Sequence, residues 1–237
     1  MESKLFTPVT FGPLTLRNRT IRSAAFESMC PGNAPSDMLL DYHRSVAAGG
    51  IGMTTVAYAA VTQSGLSFDR QLWMRPEIIP GLRRLTDAIH AEGAAAGIQL
   101  GHCGNMSHKS ICGCMPVGAS SGFNLYSPTF VRGLRADELP EMARAYGRSV
   151  NLAREAGFDS VEIHAGHGYL ISQFLSPSTN HRKDEFGGSL QNRMRFMDMV
   201  MEEVMKAAGS DMAVLNGNKL HEIICTVCET VLFFSLE

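Results

Sequence analysis

The sequence predicts an α/β domain built around a parallel sheet, and three observations carry that prediction. Short apolar segments alternate with amphipathic helical segments along most of the 237 residues. These segments do not form a meander of hairpins, and polar side chains gather just after several of the apolar segments. Repeated right-handed βαβ units give a parallel sheet, either open and doubly wound or closed as a barrel.

Each element follows from the local pattern. Residues 50–57, GIGMTTVA, form an apolar run between glycines, which is typical of a strand. Leu82, Leu85 and Ile89 recur at helical spacing. On this basis the strands are placed at residues 20–25, 50–57, 94–100, 158–164 and 211–215. The helices are placed at residues 36–47, 80–92, 137–156 and 189–208, and a long loop covers residues 101–135.

The ends of two helices carry further signals. Ser36 or Asp37 is a suitable N-cap for the first helix, and Ser189 for the last. Gly209 is a suitable stop after the last helix. The apolar spacing of that helix predicts an inward face made of Leu190, Met194, Met197, Val200 and Val204. The whole pattern amounts to about five βα units.

Composition and charge exclude several classes of function. The apolar fraction of 45% is enough for a core, and a net charge of -2 suggests no nucleic-acid or anionic-membrane partner. No apolar run is long enough to span a bilayer, and the N-terminus lacks the apolar segment of a signal peptide. Six cysteines without a regular framework fit reduced thiols. We therefore expect a cytoplasmic protein without a membrane partner.

Polar residues follow two of the predicted strands at their carboxyl ends. Gln99 and His102 follow one strand, and His164 and His167 follow another. Site residues drawn from the C-terminal ends of several strands are typical of a barrel. No strand leads into a G-x-G-x-x-G turn, which disfavours a Rossmann-type dehydrogenase.

Several ordered motifs carry a resemblance to a known family. They are LRNRTIRSAAFES at residues 16–28, GGIGMTTVAYAAVTQSG at 49–65, IQLGHCG at 98–104, AREAGFDSVEIHAGHGYLISQFLSP at 153–177 and NHRKDEFGGSLQNRMRF at 180–196. From about Leu5 to Leu215 the chain closely resembles the old yellow enzyme family of FMN-dependent oxidoreductases, especially the branch with 2,4-dienoyl-CoA reductases and NADH:flavin oxidoreductases.

The resemblance implies a TIM (β/α)8-type barrel with FMN at its C-terminal mouth. It also implies ping-pong chemistry, in which NADH or NADPH delivers hydride to the flavin. The flavin N5 then passes hydride to the β-carbon of an activated alkene, and an acid protonates the α-carbon. The resemblance leaves open the choice between NADH and NADPH. It also leaves open which alkene is reduced: an enoate, an enone, a dienoyl thioester or a steroid-like enone.

The family's catalytic residues map onto three positions. His164 and His167 occupy the place of two donors to the substrate's carbonyl or carboxylate oxygen, where hydride addition builds negative charge. Tyr169 occupies the place of the proton donor. The alternatives are a metal-binding enzyme that uses the two histidines, two structural histidines, and a tyrosine at a core edge.

The family's cofactor contacts map onto residues at the ends of the first three strands. Gln99 can donate to and accept from the flavin pyrimidine edge at once. Phe26 occupies a position where other branches carry a Thr or Cys that tunes the flavin. The backbone along the flavin ring is expected to come from Ser23, Ala24, Ala25, Phe26, Ala57 and Tyr58. The alternative for the small residues is simple barrel packing.

Two further groups of residues are interpreted as structural or unassigned. In the run from Arg182 to Arg193 we expect paired charges and a Gly187-Gly188 turn before the helix cap. The cysteines and histidines over residues 102–114 match no standard zinc pattern. Cys225 and Cys228 form a lone C-x-x-C, and no metal site is predicted.

After Leu215 the resemblance ends, so residues 1–215 are predicted as a partial barrel and residues 216–237 as an unmatched tail. Lys219 lies near the place of a flavin-contacting base, but its surroundings do not match. We expect a barrel truncated to about five units, weak or absent retention of FMN by this chain alone, and residues 231–234 either over the gap or exposed. The alternative function is a non-catalytic remnant that pairs with itself through the open edge or with another chain.

Overall fold

A computed structural model describes residues 4–125, 127–217 and 232–233. The strands are β1 (Val9–Phe11), β2 (Leu14–Leu16), β3 (Thr20–Arg22), β4 (Met53–Ala60), β5 (Ala95–Gly101), β6 (Val117–Gly118), β7 (Gly122–Asn124), β8 (Thr129–Gly133), β9 (Ser160–His164), β10 (Ala213–Gly217) and β11 (Leu232–Phe233). The α-helices are α1 (Asp37–Ala48), α2 (Ile79–Ala91), α3 (Lys109–Cys112), α4 (Leu139–Glu155), α5 (Leu170–Leu175) and α6 (Leu190–Ala208).

The centre of the fold is a sheet of five parallel strands in the order β3-β4-β5-β9-β10, so neighbours in sequence are neighbours in space. The long helices α1, α2, α4 and α6 connect them. This is the consecutive strand order of a (β/α)8-type barrel, and it confirms the five predicted units. The short strand β11 pairs antiparallel with β3.

The two faces of the sheet differ in what covers them. On the outer face, strand residues such as Ile98 and Leu100 pack in one core cluster with helix residues such as Leu82 and Val150. On the inner face, Met53 lies at the start of β4 and packs with the hairpin formed by β1 and β2. The hairpin thus covers the N-terminal end of the strands, and the carboxyl ends carry the polar residues.

The helix ends agree with the capping signals. The Ser36 hydroxyl accepts from the Leu39 N–H, and the Ser189 hydroxyl accepts from the Asn192 N–H. Gly209 has φ +62° after the last turn of α6, which is the conformation that favours glycine.

The predicted inward face of α6 was partly wrong. Leu190 is 60% exposed and Met194 is 39% exposed, whereas Phe196 is fully buried beside Val200 and Val204. The aromatic ring of Phe196 packs on Phe174 of α5, at a centroid distance of 4.5 Å. This contact turns the helix so that its first apolar residues face outward.

Some predicted bounds also need correction. Strand β3 ends at Arg22, so residues 23–26 follow the strand without regular structure. Strand β4 covers Met53–Ala60, and Ala57 and Tyr58 lie within it at a register shift rather than at its end. The predicted long loop contains α3 and a small sheet in the order β6-β8-β7. In the described part of the chain, no helix is both long and apolar enough to cross a bilayer.

Candidate functional site

Three predicted site residues lie together at the carboxyl end of β9. The ring centroids of His164 and His167 are 4.9 Å apart, and Tyr169 lies 4.9 Å from His164 and 6.1 Å from His167. We call these three residues the rim cluster. The sequence predicted this convergence, and the structure shows it.

A tight turn after β9 forms the rim cluster. His167 and Gly168 have φ values of +53° and +69°, so two consecutive residues adopt left-handed backbone. The Tyr169 N–H donates to the Gly166 carbonyl, which closes the turn. The chain reverses here, and the His167 ring folds back onto the ring of His164.

Gln173, buried on α5, fixes this turn to the loop after β5. Its amide nitrogen donates to the Gly168 carbonyl at 2.7 Å and to the Cys103 carbonyl at 3.1 Å, and its amide oxygen accepts from the Asn105 N–H. A Cβ on Gly104 would lie 2.4 Å from the same amide. Gln173 could not be recognised from the sequence, because a glutamine on a short helix carries no motif of its own.

The hydrogen bonds of the His164 ring indicate which of its nitrogens carries the proton. His164 Nδ1 accepts from the Gly166 N–H at 3.5 Å, so its proton lies on Nε2. His164 Nε2 therefore donates to His167 Nδ1 across 3.0 Å. An oxygen bound between the two rings would replace this bond and accept from His164 Nε2, and His167 would be the second donor in the tautomer that carries its proton on Nδ1.

Burial sets the protonation of His164 and Tyr169 in the rim cluster. The pKa of His164 is lowered from 6.5 to about 3, first by burial and then by His167, so His164 is neutral near pH 7. Burial raises the pKa of Tyr169, and hydrogen bonds with Ser67 and Tyr58 act against that rise. Tyr169 therefore keeps its proton at neutral pH, as a proton donor must.

Tyr58 supports the rim cluster with its side chain. Its ring lies 5.3 Å from that of Tyr169 and 5.8 Å from that of His164. Its hydroxyl donates to the Gly65 carbonyl at 3.0 Å and lies 3.3 Å from the Ser67 hydroxyl. From the sequence, Tyr58 was expected to make only a backbone contact with the cofactor, and that contact stays a prediction.

His102 lies behind the rim cluster and is fully buried. Its Nδ1 accepts from the Gly104 N–H at 2.9 Å, so Nε2 donates to the Ser64 hydroxyl at 3.0 Å. Burial lowers its pKa to about 3. The His102 carbonyl accepts from the Leu170 N–H, which ties the two loops of the site together.

Gln99 lies on the inner face of β5, opposite Glu162 of β9. Its amide donates to Glu162 Oε1 at 2.8 Å, and the Gln99 side chain is nearly buried. This bond uses one of the two amide N–H groups, and the predicted flavin contact remains compatible with it. Glu162 was missed because it reads as one polar position in an alternating strand.

The predicted cofactor-binding segment after β3, residues 23–26, is exposed in its second half. Ser23 and Ala24 are partly buried, whereas Ala25 and Phe26 are exposed, and Phe26 has 74% of its surface accessible. The Phe26 ring packs against the ring of Phe68 at a centroid distance of 4.3 Å. These residues and Ala57 offer methyl groups and backbone at the same rim as Gln99.

A second polar cluster, which we call the charge cluster, lies beside this stretch. Arg22 Nη1 lies 2.6 Å from Glu27 Oε1, and His43 Nε2 lies 3.0 Å from the same oxygen. Arg22 Nη1 also donates to the Thr55 carbonyl, and the Ala57 N–H donates to Glu27 Oε2. All three ionisable side chains are buried. The cluster joins residues after β3 to β4.

The run from Arg182 to Arg193 makes the contacts expected of a structural segment. Arg182 pairs with Asp184 and donates to the Ala119 carbonyl, which holds the loop after α5 against the small sheet. Gly188 has φ +80°, and Arg193 donates to the Leu175 carbonyl at 2.7 Å.

A cleft of about 530 Å³ opens beside the rim cluster. His167 and Gly168 line one side, and Phe123, Asn124 and Val131 of the hairpin β7–β8 line the other. The cleft gives a small molecule access to the rim from outside the barrel.

No group of three or more His, Cys, Asp or Glu side chains could hold a metal ion within residues 4–125 and 127–217. Cys103 and Cys112 are buried thiols, and Cys114 is exposed. Lys219, Cys225 and Cys228 lie outside the described residues.

Comparisons with known proteins agree with this geometry. Residues 4–217 match the model of the NADH:flavin oxidoreductase / NADH oxidase family. The chain is 43% identical over 210 residues to a 4,4'-dithiodibutanoate disulfide reductase of Rhodococcus erythropolis, covering 89% of this chain and 52% of that protein. It is 37% identical over 209 residues to an NADPH dehydrogenase of Bacillus subtilis (strain 168), covering 86% of this chain and 60% of that protein.

A solved structure gives the same result for the fold. The old yellow enzyme homologue from Zymomonas mobilis superposes with a TM-score of 0.83 at 30% identity, over 90% of this chain and 63% of that chain. The chain therefore spans between half and two thirds of the length of these relatives.

Proposed function

Because the chain belongs to the NADH:flavin oxidoreductase / NADH oxidase family, we propose that it is an FMN-dependent ene-reductase. In this proposal NADH or NADPH supplies the hydride, and the acceptor is the activated C=C bond of an α,β-unsaturated carbonyl compound. The observation that carries the proposal is the rim cluster: the neutral imidazole of His164, the imidazole of His167 and the protonated phenol of Tyr169 meet at the barrel mouth.

FMN is the cofactor of this family, and the residues at the mouth fit a flat ring system. Small side chains and irregular backbone follow β3, Ala57 adds another methyl group, and the Gln99 amide lies on the same rim. We assign cofactor contacts to Ser23, Ala24, Ala25, Phe26, Ala57, Tyr58 and Gln99. When bound, FMN supplies hydride transfer between the nicotinamide and the acceptor.

The chain's own residues bind and polarise the acceptor. His164 and His167 are held 3.0 Å apart by the turn after β9, so both can reach one carbonyl oxygen. Because His164 stays neutral, it donates a hydrogen bond without carrying charge into the site. Preorganised donors of this kind stabilise developing negative charge by about 3–4 kcal/mol.

Tyr169 supplies the proton in the same proposal. Burial raises the pKa of its hydroxyl, so the group is protonated over the neutral range. Tyr58 and Ser67 orient it by ring packing and hydrogen bonding. A phenol is a weak acid, which matches protonation of an enolate-like carbon.

Separate half-reactions test the proposal. The protein is reconstituted with FMN without oxygen, reduced with NADH or NADPH, and then mixed with a panel of enones and enoates. Tyr169→Phe should slow re-oxidation by the alkene about 10²- to 10⁴-fold while nicotinamide oxidation changes little. Tyr146→Phe is the matched control, because Tyr146 is fully buried on α4, outside the rim cluster.

Two outcomes contradict the proposal. Equal loss of both half-reactions in Tyr169→Phe rules out its role as the acid. Failure to bind FMN, together with an oligomeric mass in sedimentation, favours the non-catalytic alternative.

The likeness to the Rhodococcus erythropolis protein supports a disulfide as a second acceptor class. The acceptor panel therefore includes 4,4'-dithiodibutanoate. Re-oxidation by the disulfide and not by any alkene would replace the ene-reductase assignment with this one. A disulfide needs no proton on carbon, so Tyr169→Phe should affect it less than an alkene.

A further inference from the structure

Two cysteines in the loop after β5 lie outside the rim cluster and have no role in the proposed function. Cys112 is the last residue of α3, and Cys114 follows after Gly113. The Cys112 and Cys114 sulfur atoms are 3.8 Å apart, and both are free thiols. Gly113 has φ +74°, a left-handed turn that folds the second cysteine back toward the first.

The two thiols differ in access. Cys114 is exposed, whereas Cys112 is only 2% exposed. The Cys112 thiol lies 3.2 Å from the His108 carbonyl and 3.2 Å from the Cys114 carbonyl, so backbone holds it in place. A reagent in solution can therefore reach the Cys114 sulfur first, and the Cys112 sulfur lies next to it for the second step.

Cys114 opens onto a cleft of about 610 Å³ between this loop and α4. Arg132 and Arg148 line the cleft, but Arg132 pairs with Glu138 and Arg148 pairs with Glu141. Because these charges are paired, the cleft has room for a small reagent and no strong preference for its charge.

We propose that Cys112 and Cys114 form a redox site that low-molecular-weight disulfides oxidise to an intramolecular disulfide. The Cys114 thiolate attacks one sulfur of the reagent RSSR, forms a mixed disulfide and releases RS⁻. The Cys112 thiolate then attacks the Cys114 sulfur and releases the second RS⁻. The two cysteine protons pass to the released thiolates. The protein dithiol is oxidised by two electrons, and RSSR is reduced to two RSH.

The second step, which forms the intramolecular disulfide, requires only a small movement of the two sulfur atoms. A disulfide bond is about 2.0 Å long, so the two sulfurs need to approach by roughly 1.8 Å. Burial, followed by the neighbouring Cys112, raises the pKa of Cys114, while Arg132 acts in the opposite direction. The thiolate is the attacking form, so the reaction is followed at alkaline pH.

Peptide mapping tests the proposal on the full chain without added flavin. Reduced protein is treated with an excess of the uncharged disulfide of 2-mercaptoethanol, alkylated after denaturation and digested with trypsin. Cleavage after Lys109 and Arg132 gives a peptide of residues 110–132 that contains Cys112 and Cys114 and no other cysteine. Cys30, Cys103 and the Cys225–Cys228 pair fall in three other peptides.

The expected result is a loss of two hydrogens in peptide 110–132, with no attached reagent, in most of the protein. Cys30 is 4% exposed and Cys103 is fully buried, so both should remain alkylated as internal controls. Peptide 110–132 with two free thiols, or with a reagent on each cysteine, would overturn the proposal.

Two variants separate the roles of the sulfurs. Cys112→Ser should accumulate one reagent on Cys114, because the resolving thiol is absent. Cys114→Ser should leave Cys112 unmodified, because its sulfur is buried. Modification of Cys112 at the wild-type rate in Cys114→Ser would contradict the assigned order.

Discussion

The rim cluster and the charge cluster are both polar groups near the carboxyl ends of the strands, but the charge cluster is buried throughout, whereas in the rim cluster His164 is buried, Tyr169 is partly buried and His167 is exposed. In the charge cluster, Arg22 and Glu27 form an ion pair that is also hydrogen-bonded to backbone, and His43 Nε2 lies 3.0 Å from Glu27 Oε1 without a hydrogen bond. In the rim cluster, His164 is kept neutral and its hydrogen bond goes to another imidazole. The first arrangement leaves little to offer a ligand, and the second holds donors that a ligand oxygen can take over.

The difference teaches where function is expected among buried polar residues. A paired charge is costly to disturb, because removal of one partner leaves the other buried and unpaired. A hydrogen bond at a solvent-accessible barrel mouth can exchange partners at low cost. Substitution in the charge cluster should therefore reduce stability, and substitution in the rim cluster should reduce rate.

The largest expected effect is on stability, from Glu27→Gln. The change leaves the Arg22 guanidinium buried without its carboxylate, which should reduce the free energy of unfolding by about 3–5 kcal/mol. Denaturant unfolding measures it. Glu77→Gln is the control, because Glu77 is exposed and lies 4.0 Å from Arg75, so the loss should stay within about 1 kcal/mol. Equal losses in the two variants would remove the distinction between the clusters.

The next effect is on rate, from His164→Phe. The phenyl ring keeps the packing against Tyr58 and Tyr169 but removes the donor. Re-oxidation of reduced flavin by an enone should slow about 10²- to 10³-fold. Nicotinamide oxidation and the unfolding midpoint should change much less. A loss of stability as large as that of Glu27→Gln would make His164 structural.

A smaller effect on both properties is expected from Gly104→Ala. The new Cβ would overlap the buried Gln173 amide, and residue 104 has φ +63°, so we expect a loss of about 1–3 kcal/mol. Gly122→Ala should be close to neutral, because nothing lies within 4 Å of its Cβ. If Gly104→Ala leaves the alkene half-reaction unchanged, Gln173 does not position the rim turn.

The last expected effect, which is the smallest near neutral pH and grows as the pH falls, is a pH dependence of stability. The pKa values of His102 and His164 are about 3 in the folded chain, against 6.5 ordinarily, so below pH 6.5 the unfolded chain binds more protons. The contribution of the two neutral histidines to the free energy of unfolding is fully present above about pH 6.5. It falls by about 1.4 kcal/mol per pH unit for each histidine as the pH drops toward about 3. Denaturant unfolding over this range should show a shallower slope in His102→Gln. An unchanged slope would show that His102 titrates normally.

The sequence predicted most of the fold, because its signals are local. Five strands and four long helices follow from apolar periodicity, and Ser36, Ser189 and Gly209 mark helix ends as expected. The orientation of α6 did not follow, because the contact of Phe196 with α5 is made far from the helix's own pattern. The strands β6, β7 and β8 are too short and too rich in glycine and serine to give a period.

The site was predicted only as far as its motif reaches. The convergence of His164, His167 and Tyr169 is confirmed by the structure, and their catalytic roles stay predictions. Gln173 and the Tyr58 hydroxyl could not be found, because their importance depends on loops that meet only after folding. The cofactor contacts of Gln99 and of residues 23–26 also stay predictions.

The hairpin β7–β8 lines the cleft but is anchored separately from the turn after β9. Asn124 donates to the Asn105 carbonyl at 2.7 Å, and beyond that point Phe123, Leu125 and Phe130 are exposed. None of the bonds that shape the turn after β9 comes from these three apolar side chains. Substitutions at the tip of this hairpin, natural or engineered, can therefore adapt the cleft to acceptors of a different shape while the two imidazoles and the phenol keep their positions.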